Sequence, residues 1–297
     1  MKILRFIFYL IKHGSTKPLR IDFESERKIL LKNISFQLPT LLNPNKKFVI
    51  SLLSKSNLGH LFLMNASYLL KASRANIMFF SSSEKKLVFI RILKSASTSL
   101  LKEFLPAIEP KLIGCNLTDE EIDALSFYYV KNKLTDQEST YKKFCLVRNP
   151  FARIVSVYLD LFNVNGESFT FSNYWFGILK HDMSFKDFIS AISVVPMKLL
   201  GPHFAPQYQI LESAGGIQNI IYFRIEKDKK AIANFLSNHS ITLAHRNKQK
   251  KTYDYVTFYD QESLKLVYQL YQKDVNVLGY QDEYELLQKS TYYSKKT

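Results

Sequence analysis

The chain has 297 residues, of which 46% are hydrophobic and 23% are charged, so it is long and apolar enough to bury a full core. This balance excludes the low hydrophobicity and high net charge of disordered chains. The 41 Lys and Arg residues outnumber the 26 Asp and Glu residues, and the formal net charge of +15 favours anionic partners such as nucleotides, polyanions or an anionic membrane surface. The basic residues are spread along the chain and match no nucleic-acid-binding motif, so nucleic acid is not expected as a partner.

Residues 1–85 contain no recognisable chemical motif, and we expect them to form an N-terminal extension of unknown role that packs on the core. The extension begins with a basic, aromatic run over residues 1–11, which is too short to span a bilayer because about 20 apolar residues are needed. No cleavage site of small residues follows this run, so it does not resemble an export signal. One hypothesis is that it rests on an anionic membrane surface.

Three segments of the chain repeat the order strand, loop, helix. The predicted strand and helix of each unit cover residues 87–92 and 97–105, residues 143–147 and 151–162, and residues 219–223 and 228–236. Units of this kind form parallel sheets, so the sequence predicts a three-layer α/β fold, with a central parallel sheet, helices on both faces, and ligands beyond the carboxyl ends of the strands. Apolar spacing predicts further helices over residues 119–131, 185–192 and 261–273, and the polar residues 81–86 predict a loop.

A lysine and several hydroxyl groups follow the first of these strands. The free N–H groups and the dipole of a helix N-terminus favour a phosphate or sulfate group. The residues at this helix entrance are Lys94, Ser95, Ala96, Ser97, Thr98 and Ser99. The alternative is that Ser97 or Thr98 merely caps the helix and Lys94 is a solvated loop residue. The segment lacks both glycines of a Walker A loop, and Lys94 stands three residues before Ser97, which disfavours a conventional P-loop NTPase.

A second basic residue, Arg148, ends the second predicted strand. Asn149 is a candidate N-cap, Pro150 suits the first helical position, and Ser156 lies about two turns into the helix. An arginine offers a planar, charged fork to a phosphate, and a serine hydroxyl can donate a further bond. Two anion sites on neighbouring strand–helix units suit a nucleotide that is phosphorylated at both ends.

The two motifs resemble those of the carbohydrate sulfotransferases that use 3′-phosphoadenosine 5′-phosphosulfate (PAPS). This group contains the Golgi-type chondroitin, dermatan, HNK-1 and heparan 2-O-sulfotransferases and their bacterial relatives. Its donor loop typically reads K-x-[AG]-[SC]-[TS]-[SN], and residues 94–99 (KSASTS) are similar to it. Its second signature is similar to residues 148–158 (RNPFARIVSVY), and both motifs occur in the expected order after predicted strands.

The resemblance continues downstream and covers roughly residues 86–282. Residues 202–207 (PHFAPQ) look like a His-Trp-x-Pro segment of the family, with Phe204 in place of tryptophan. Residues 223–226 (FRIE) resemble a glutamate motif that ends a strand in the family. The family's closing motif Y-x-x-D-x-x-x-x-G-Y is similar to the segment that contains Tyr271, Asp274, Gly279 and Tyr280.

Two features depart from the family pattern. Asn149 replaces the more common aspartate, and cysteines are scarce. Cys115 and Cys145 form no C-x-x-C motif or Cys/His cluster, so neither a disulfide nor a metal site is predicted. By resemblance the chain looks like a cytoplasmic, bacterial member without the disulfides of the Golgi enzymes.

The resemblance implies a P-loop-NTPase-like sulfotransferase fold and a catalytic domain over residues 86–297. This domain would transfer a sulfuryl group from PAPS to a carbohydrate hydroxyl by in-line displacement, without a metal. PAPS contacts would come from Lys94, Ser95, Ala96, Ser97, Thr98 and Ser99 at the phosphosulfate and from Arg148 and Ser156 at the 3′-phosphate. Lys94 would neutralise the leaving group, His203 is the leading general base, and Glu226 is the second candidate. Arg153 and Phe204 would contact substrate.

Each of these roles has a structural alternative. His203 can be a structural histidine bonded to backbone, and Glu226 can pair with Arg224 or cap the following helix. Arg153 can orient the donor loop or lie on a solvated helix face, while Arg148 can form a surface ion pair.

Two other functions remain open at this point. They are a nucleotide-dependent kinase or NTPase on a related scaffold, and a non-enzymatic polyanion-binding protein. The expected partner is a carbohydrate acceptor, and the charge of +15 would recruit an anionic one by electrostatic steering.

Overall fold

The computed structural model describes residues 77–162, 179, 183–197, 200–241 and 253–293. The chain divides into two compact units, one of residues 75–157 and 202–297 and one of residues 1–74 and 158–201. The membrane-surface hypothesis concerns residues 1–11, which lie outside the described residues.

The larger unit is built on a sheet whose described strands lie in the order β1 (Phe79–Ser82), β2 (Leu87–Ile90), β3 (Lys142–Val147) and β4 (Ile220–Arg224). The three predicted strands are parallel, while β1 pairs with β2 in antiparallel orientation. The prediction of a loop over residues 81–86 is therefore wrong at its start, since Ser81 and Ser82 pair with β2. The sheet begins before the domain boundary that we expected at residue 86.

Nine helices lie within the described residues of the two units, and they are numbered in chain order. They are α1 (Ser97–Phe104), α2 (Asp119–Tyr129), α3 (Asp136–Ser139), α4 (Pro150–Leu161), α5 (Phe185–Ser193), α6 (Gln207–Ser213), α7 (Lys229–Asn238), α8 (Gln261–Val277) and α9 (Gln281–Tyr293). Short 3₁₀ helices cover Leu105–Ala107, Pro110–Leu112, Ile217–Asn219 and Tyr255–Phe258. All six predicted helices are present, whereas α3, α6 and α9 were not predicted.

Apolar residues cover both faces of the sheet. Because successive side chains of a strand point to opposite faces, Val88 and Ile90 belong to one buried cluster and Leu87 and Phe89 to another. Helix α6 contributes to the first cluster, and α1 and α7 contribute to the second. Burying each large side chain contributes about 1.5–3 kcal/mol. This arrangement confirms the predicted three-layer α/β fold and explains why β2 is an uninterrupted apolar run.

Local chemistry explains where α4 begins. The Asn149 side chain accepts a hydrogen bond of 2.9 Å from the N–H of Phe151, so Asn149 is the N-cap as predicted. Pro150 occupies the first helical position, where its missing N–H leaves no bond unmade. Asn149 Nδ2 also donates to the Tyr255 hydroxyl at 3.1 Å, which ties the helix start to a distant segment.

The smaller unit contains α5 and an aromatic cluster among its described residues. Tyr158, Phe162, Phe185 and Phe188 pack with ring centroids 5.0 to 6.3 Å apart. The Tyr158 hydroxyl donates to the Met183 carbonyl at 2.8 Å. Across the described residues of both units, no helix combines the length and hydropathy needed to cross a bilayer. Within the same residues, no group of His, Cys, Asp and Glu side chains could hold a metal ion.

Candidate functional site

The loop between β2 and α1 carries Lys94 at the carboxyl end of the sheet. Lys94 and Ala96 both adopt left-handed backbone conformations, with φ of 66° and 57°. Such conformations cost on the order of 1–3 kcal/mol in non-glycine residues and cluster at functional sites, where surrounding contacts hold them. Ala96 is the N-cap of α1 and no side chain caps this helix, so Ser97 and Thr98 do not serve as the cap. The first-turn N–H groups are therefore not bonded by a capping side chain, which suits an anion site.

The hydroxyl groups of this loop divide between the protein interior and the solvent. Ser95 is 0% exposed, and its Oγ donates to the Ile92 carbonyl at 2.6 Å. Thr98 Oγ1 accepts a bond of 3.0 Å from a buried arginine, whereas Ser97 is buried and Ser99 is exposed. Because the Ser95 side chain stabilises the turn, any contact of this residue with an anion has to use its backbone N–H.

Sequence reasoning missed Arg91, the buried arginine that follows β2. Its Nη2 atom donates to Thr98 and forms an ion pair with Asp123 of α2, both at 3.0 Å. Arg91 thereby links the start of α1 to α2. A usable signal was its position as the one charged residue in the apolar run LVFIRI, since arginine is rarely buried without a partner.

Arg148 follows β3 and reaches the Lys94 loop. Its Nη1 atom donates to the Lys94 carbonyl at 3.1 Å, so the two motifs adjoin. Burial lowers the pKa of the Arg148 guanidinium and the Glu226 carboxylate opposes this change, but an arginine stays charged in either case. Within the described part of the chain, no carboxylate forms an ion pair with Arg148, so the surface ion-pair alternative is not observed.

The backbone of Arg148 is held by the side chain of Gln207, the first residue of α6. Gln207 Oε1 accepts from the Arg148 N–H at 2.9 Å, and Gln207 Nε2 donates to the Arg148 carbonyl at 2.7 Å. Asp274 of α8 holds Gln207 in turn, because its carboxylate accepts from the N–H groups of Gln207 and Tyr208 at 2.9 and 2.8 Å. Burial raises the pKa of Asp274, and these two bonds offset part of that rise. Sequence reasoning assigned no role to Gln207 or Asp274, although both lie in segments that resemble the family.

Arg153 lies on α4 and is 1% exposed. Its guanidinium donates to three backbone carbonyls at 3.0, 3.2 and 3.0 Å, those of Leu93, Pro202 and Ala205. Because these residues flank Lys94 and His203, one buried side chain joins the segments that carry both. This placement supports the loop-orienting interpretation of Arg153. It corrects the prediction of a substrate contact, since the side chain is enclosed by protein.

Phe204 also differs from its predicted role. Its ring is 1% exposed, so neither face is open to stack on a sugar, and the Tyr271 hydroxyl donates to its carbonyl at 2.8 Å. His203, the preceding residue, is half-buried in a turn that Arg153 holds on both sides.

Glu226 follows β4 and supports the start of α4. Its Oε1 accepts from the Asn149 N–H at 2.9 Å, and its Oε2 accepts from the Tyr280 hydroxyl at 3.0 Å. Arg224 pairs with Asp228 at 3.0 Å, so the proposed pairing of Arg224 with Glu226 is wrong. Burial and the neighbouring Glu226 raise the pKa of Tyr280, which keeps its hydroxyl a donor. These bonds favour a positioning role for Glu226 over a general base.

Ser156 lies half-buried on α4, three residues after Arg153. Residues three apart are neighbours on one helix face, so Ser156 lies on the face that carries Arg153. Its contact with a 3′-phosphate stays a prediction.

One comparison with known proteins found a match. The model of the sulfotransferase family matches residues 78–281, which is more than half of the chain and starts at the sheet. The chain belongs to the sulfotransferase family. No match was found among curated proteins or among solved structures. The family match supports sulfuryl transfer in general and does not distinguish the carbohydrate enzymes from other members.

Proposed function

We propose that the protein transfers a sulfuryl group from PAPS to a hydroxyl of a carbohydrate. The observation that carries the proposal is the 3.1 Å hydrogen bond from Arg148 to the Lys94 carbonyl. It brings two helix entrances, each with a basic side chain, to one edge of a parallel sheet. Ligands of open α/β sheets bind at this edge.

The residues present fit a nucleotide with anionic groups at both ends. The Lys94 loop offers an ammonium group and the uncapped first turn of α1, which suit the phosphosulfate. The Arg148 guanidinium offers a charged fork to the 3′-phosphate, with Ser156 two turns further along. Gln207 holds the Arg148 backbone and Asp274 holds Gln207, so the Arg148 end of the site is fixed by long-range hydrogen bonds.

PAPS, when bound, supplies an activated sulfuryl group on a phosphate leaving group. As the acceptor oxygen forms its bond to sulfur, the bond from sulfur to the phosphate oxygen breaks and negative charge develops on that oxygen. In this proposal Lys94 neutralises that charge. His203 takes the proton from the acceptor hydroxyl, because the hydroxyl is a weak nucleophile and an imidazole titrates near neutral pH.

The roles of His203 and Glu226 can be separated by substitution. We expect His203→Ala to lower kcat about 100- to 10 000-fold, as loss of a general base does. Glu226→Gln should lower kcat less than about tenfold, since a glutamine can still accept from Asn149 and bond to Tyr280. The measurement is kcat against pH for both variants. The ionisation of a general base appears as a fall in kcat at low pH. If this fall is lost in Glu226→Gln but kept in His203→Ala, Glu226 is the base.

Nucleotide preference tests the proposed function directly. At 100 times its Kd, 3′-phosphoadenosine 5′-phosphate (PAP) should raise the melting temperature by about 5–10 °C, while ATP with magnesium at the same concentration raises it far less. Sulfuryl transfer from ³⁵S-labelled PAPS to a panel of polysaccharides then identifies the acceptor. Magnesium-dependent ATP turnover would point to a kinase or NTPase instead. Salt-dependent polyanion binding without any nucleotide preference would point to a non-enzymatic protein.

A further inference from the structure

Lysines surround a recess at the end of the strands opposite to Lys94. The recess has a volume of about 480 Å³, and its polar lining comes from Lys85, Lys86, Lys142, His239, Gln137 and Thr140. Lys86 precedes β2 and Lys142 begins β3, and the Lys142 N–H donates to the Lys86 carbonyl at 3.1 Å. From Leu87 the strand rises about 3.3 Å per residue toward Lys94, so the recess lies roughly 15–20 Å from the Lys94 loop. It is therefore separate from the site described above.

The recess carries unneutralised positive charge. Lys85 pairs with Glu84 at 2.9 Å. Lys86 Nζ lies 3.4 Å from the Tyr141 hydroxyl and 5.0 Å from the centre of its ring. Neither Lys86 nor Lys142 forms an ion pair with a carboxylate of the described residues. Two lysines that line the same recess and have no carboxylate partner among the described residues create a local positive potential that an anion relieves.

One helix terminus opposes this potential. Helix α7 ends at Asn238, next to His239, and a helix C-terminus carries a partial charge of about −0.5. The carbonyls of Leu236 and Ser237 are bonded to N–H groups of residues 239–241, which satisfies part of that terminus. The two ammonium charges exceed the remaining partial charge, so the recess favours anions.

The lining suits a sugar acid or sulfated sugar. Gln137 and Thr140 offer an amide and a hydroxyl for hydrogen bonds with sugar hydroxyls. The lining offers little aromatic surface to a nucleobase, because Tyr141 is 6% exposed and one face of the half-buried His239 ring packs on Phe235 at 4.5 Å. Because the recess is concave, a single sugar unit can enter it, whereas a flat lipid surface cannot follow its shape.

We propose that this recess binds a sulfate or carboxylate group of an anionic saccharide, outside the sulfuryl-transfer centre. The inference rests on the proposed function in that the same saccharide chain is the acceptor. A saccharide that binds both the recess and the Lys94 site has to span roughly 15–20 Å, so the enzyme should favour long anionic acceptors over short neutral ones.

The test compares two charge-matched double variants of the full chain. Lys86→Gln with Lys142→Gln removes the unpaired charges, and Lys265→Gln with Lys289→Gln removes two exposed lysines of α8 and α9. The probe is a size-defined heparin hexasaccharide, titrated by calorimetry at two salt concentrations, with and without saturating PAP. We expect the recess variant to raise the Kd about tenfold and to flatten its salt dependence, and the control variant to change the Kd less than about twofold.

The outcomes separate this inference from the proposed function. Equal losses in the two variants, or no loss in the recess variant, would overturn the recess as a saccharide site. If the recess variant instead loses binding to phosphatidylserine vesicles or to a single-stranded DNA oligonucleotide while hexasaccharide binding is unchanged, the saccharide assignment is wrong. Failure of the wild-type chain to bind PAP would contradict the proposed function. The comparison of hexasaccharide affinity between the two variants could still be interpreted in that case.

Discussion

Replacement of Arg148 by alanine is expected to weaken PAP binding about 100- to 10 000-fold. A charged hydrogen bond contributes about 1.5–3 kcal/mol, and the guanidinium can form two such bonds to one phosphate. Each tenfold change in Kd corresponds to about 1.4 kcal/mol. The substitution should leave the fold intact, because Gln207 bonds to backbone atoms of Arg148 that alanine keeps. Calorimetric titration with PAP provides the measurement.

The control for this prediction is Arg148→Lys, which keeps the charge but not the planar fork. It should recover part of the affinity, and both variants should melt within a few degrees of the wild type. Lys94→Ala should differ from Arg148→Ala, with a larger loss in kcat than in PAP affinity, since Lys94 is proposed to act on charge that develops during transfer. Undiminished PAP affinity in Arg148→Ala would remove Arg148 from the nucleotide site.

Replacement of Arg153 has the second large expected effect, and here stability and activity fall together. Arg153→Met would remove the donor from three carbonyls, the buried one of Ala205 and the partly buried ones of Leu93 and Pro202. We expect a loss of about 3–5 kcal/mol in the free energy of unfolding, comparable to breaking a buried charged network. Chemical denaturation measures this loss.

The milder variant Arg153→Lys keeps the charge and can satisfy part of these acceptors, so it should fold. We expect its kcat to fall about 100-fold with a smaller change in KM, because a displacement of about 1 Å between reacting groups has that effect. Arg224→Met is the matched control for stability. It removes an arginine whose side chain is 32% exposed and paired with Asp228, and it should cost less than about 1 kcal/mol. A normal kcat in Arg153→Lys would show that the loop does not depend on this side chain's geometry.

The sequence by itself determined the elements whose signals are local. The apolar runs at residues 87–92 and 143–147 became β2 and β3, since a strand buried on both faces has to be apolar throughout. Asn149 and Pro150 defined the start of α4 through chemistry that involves only their neighbours. The positions of Lys94 and Arg148 at strand ends also placed them at one edge of the sheet, as parallel strands require.

Only the tertiary structure decided which polar side chains face inward. On an amphipathic helix, Arg153 has the same pattern as a solvated arginine, and its acceptors lie 49 to 60 residues away along the chain. The same holds for Glu226, whose partners Asn149 and Tyr280 are 77 and 54 residues away. Ser81 and Ser82 became part of a strand because β2 supplied their pairing partners. Burial and long-range hydrogen bonds depend on the path of the whole chain, so periodicity and short motifs identify the charges of this site but not the side chains that hold them in place.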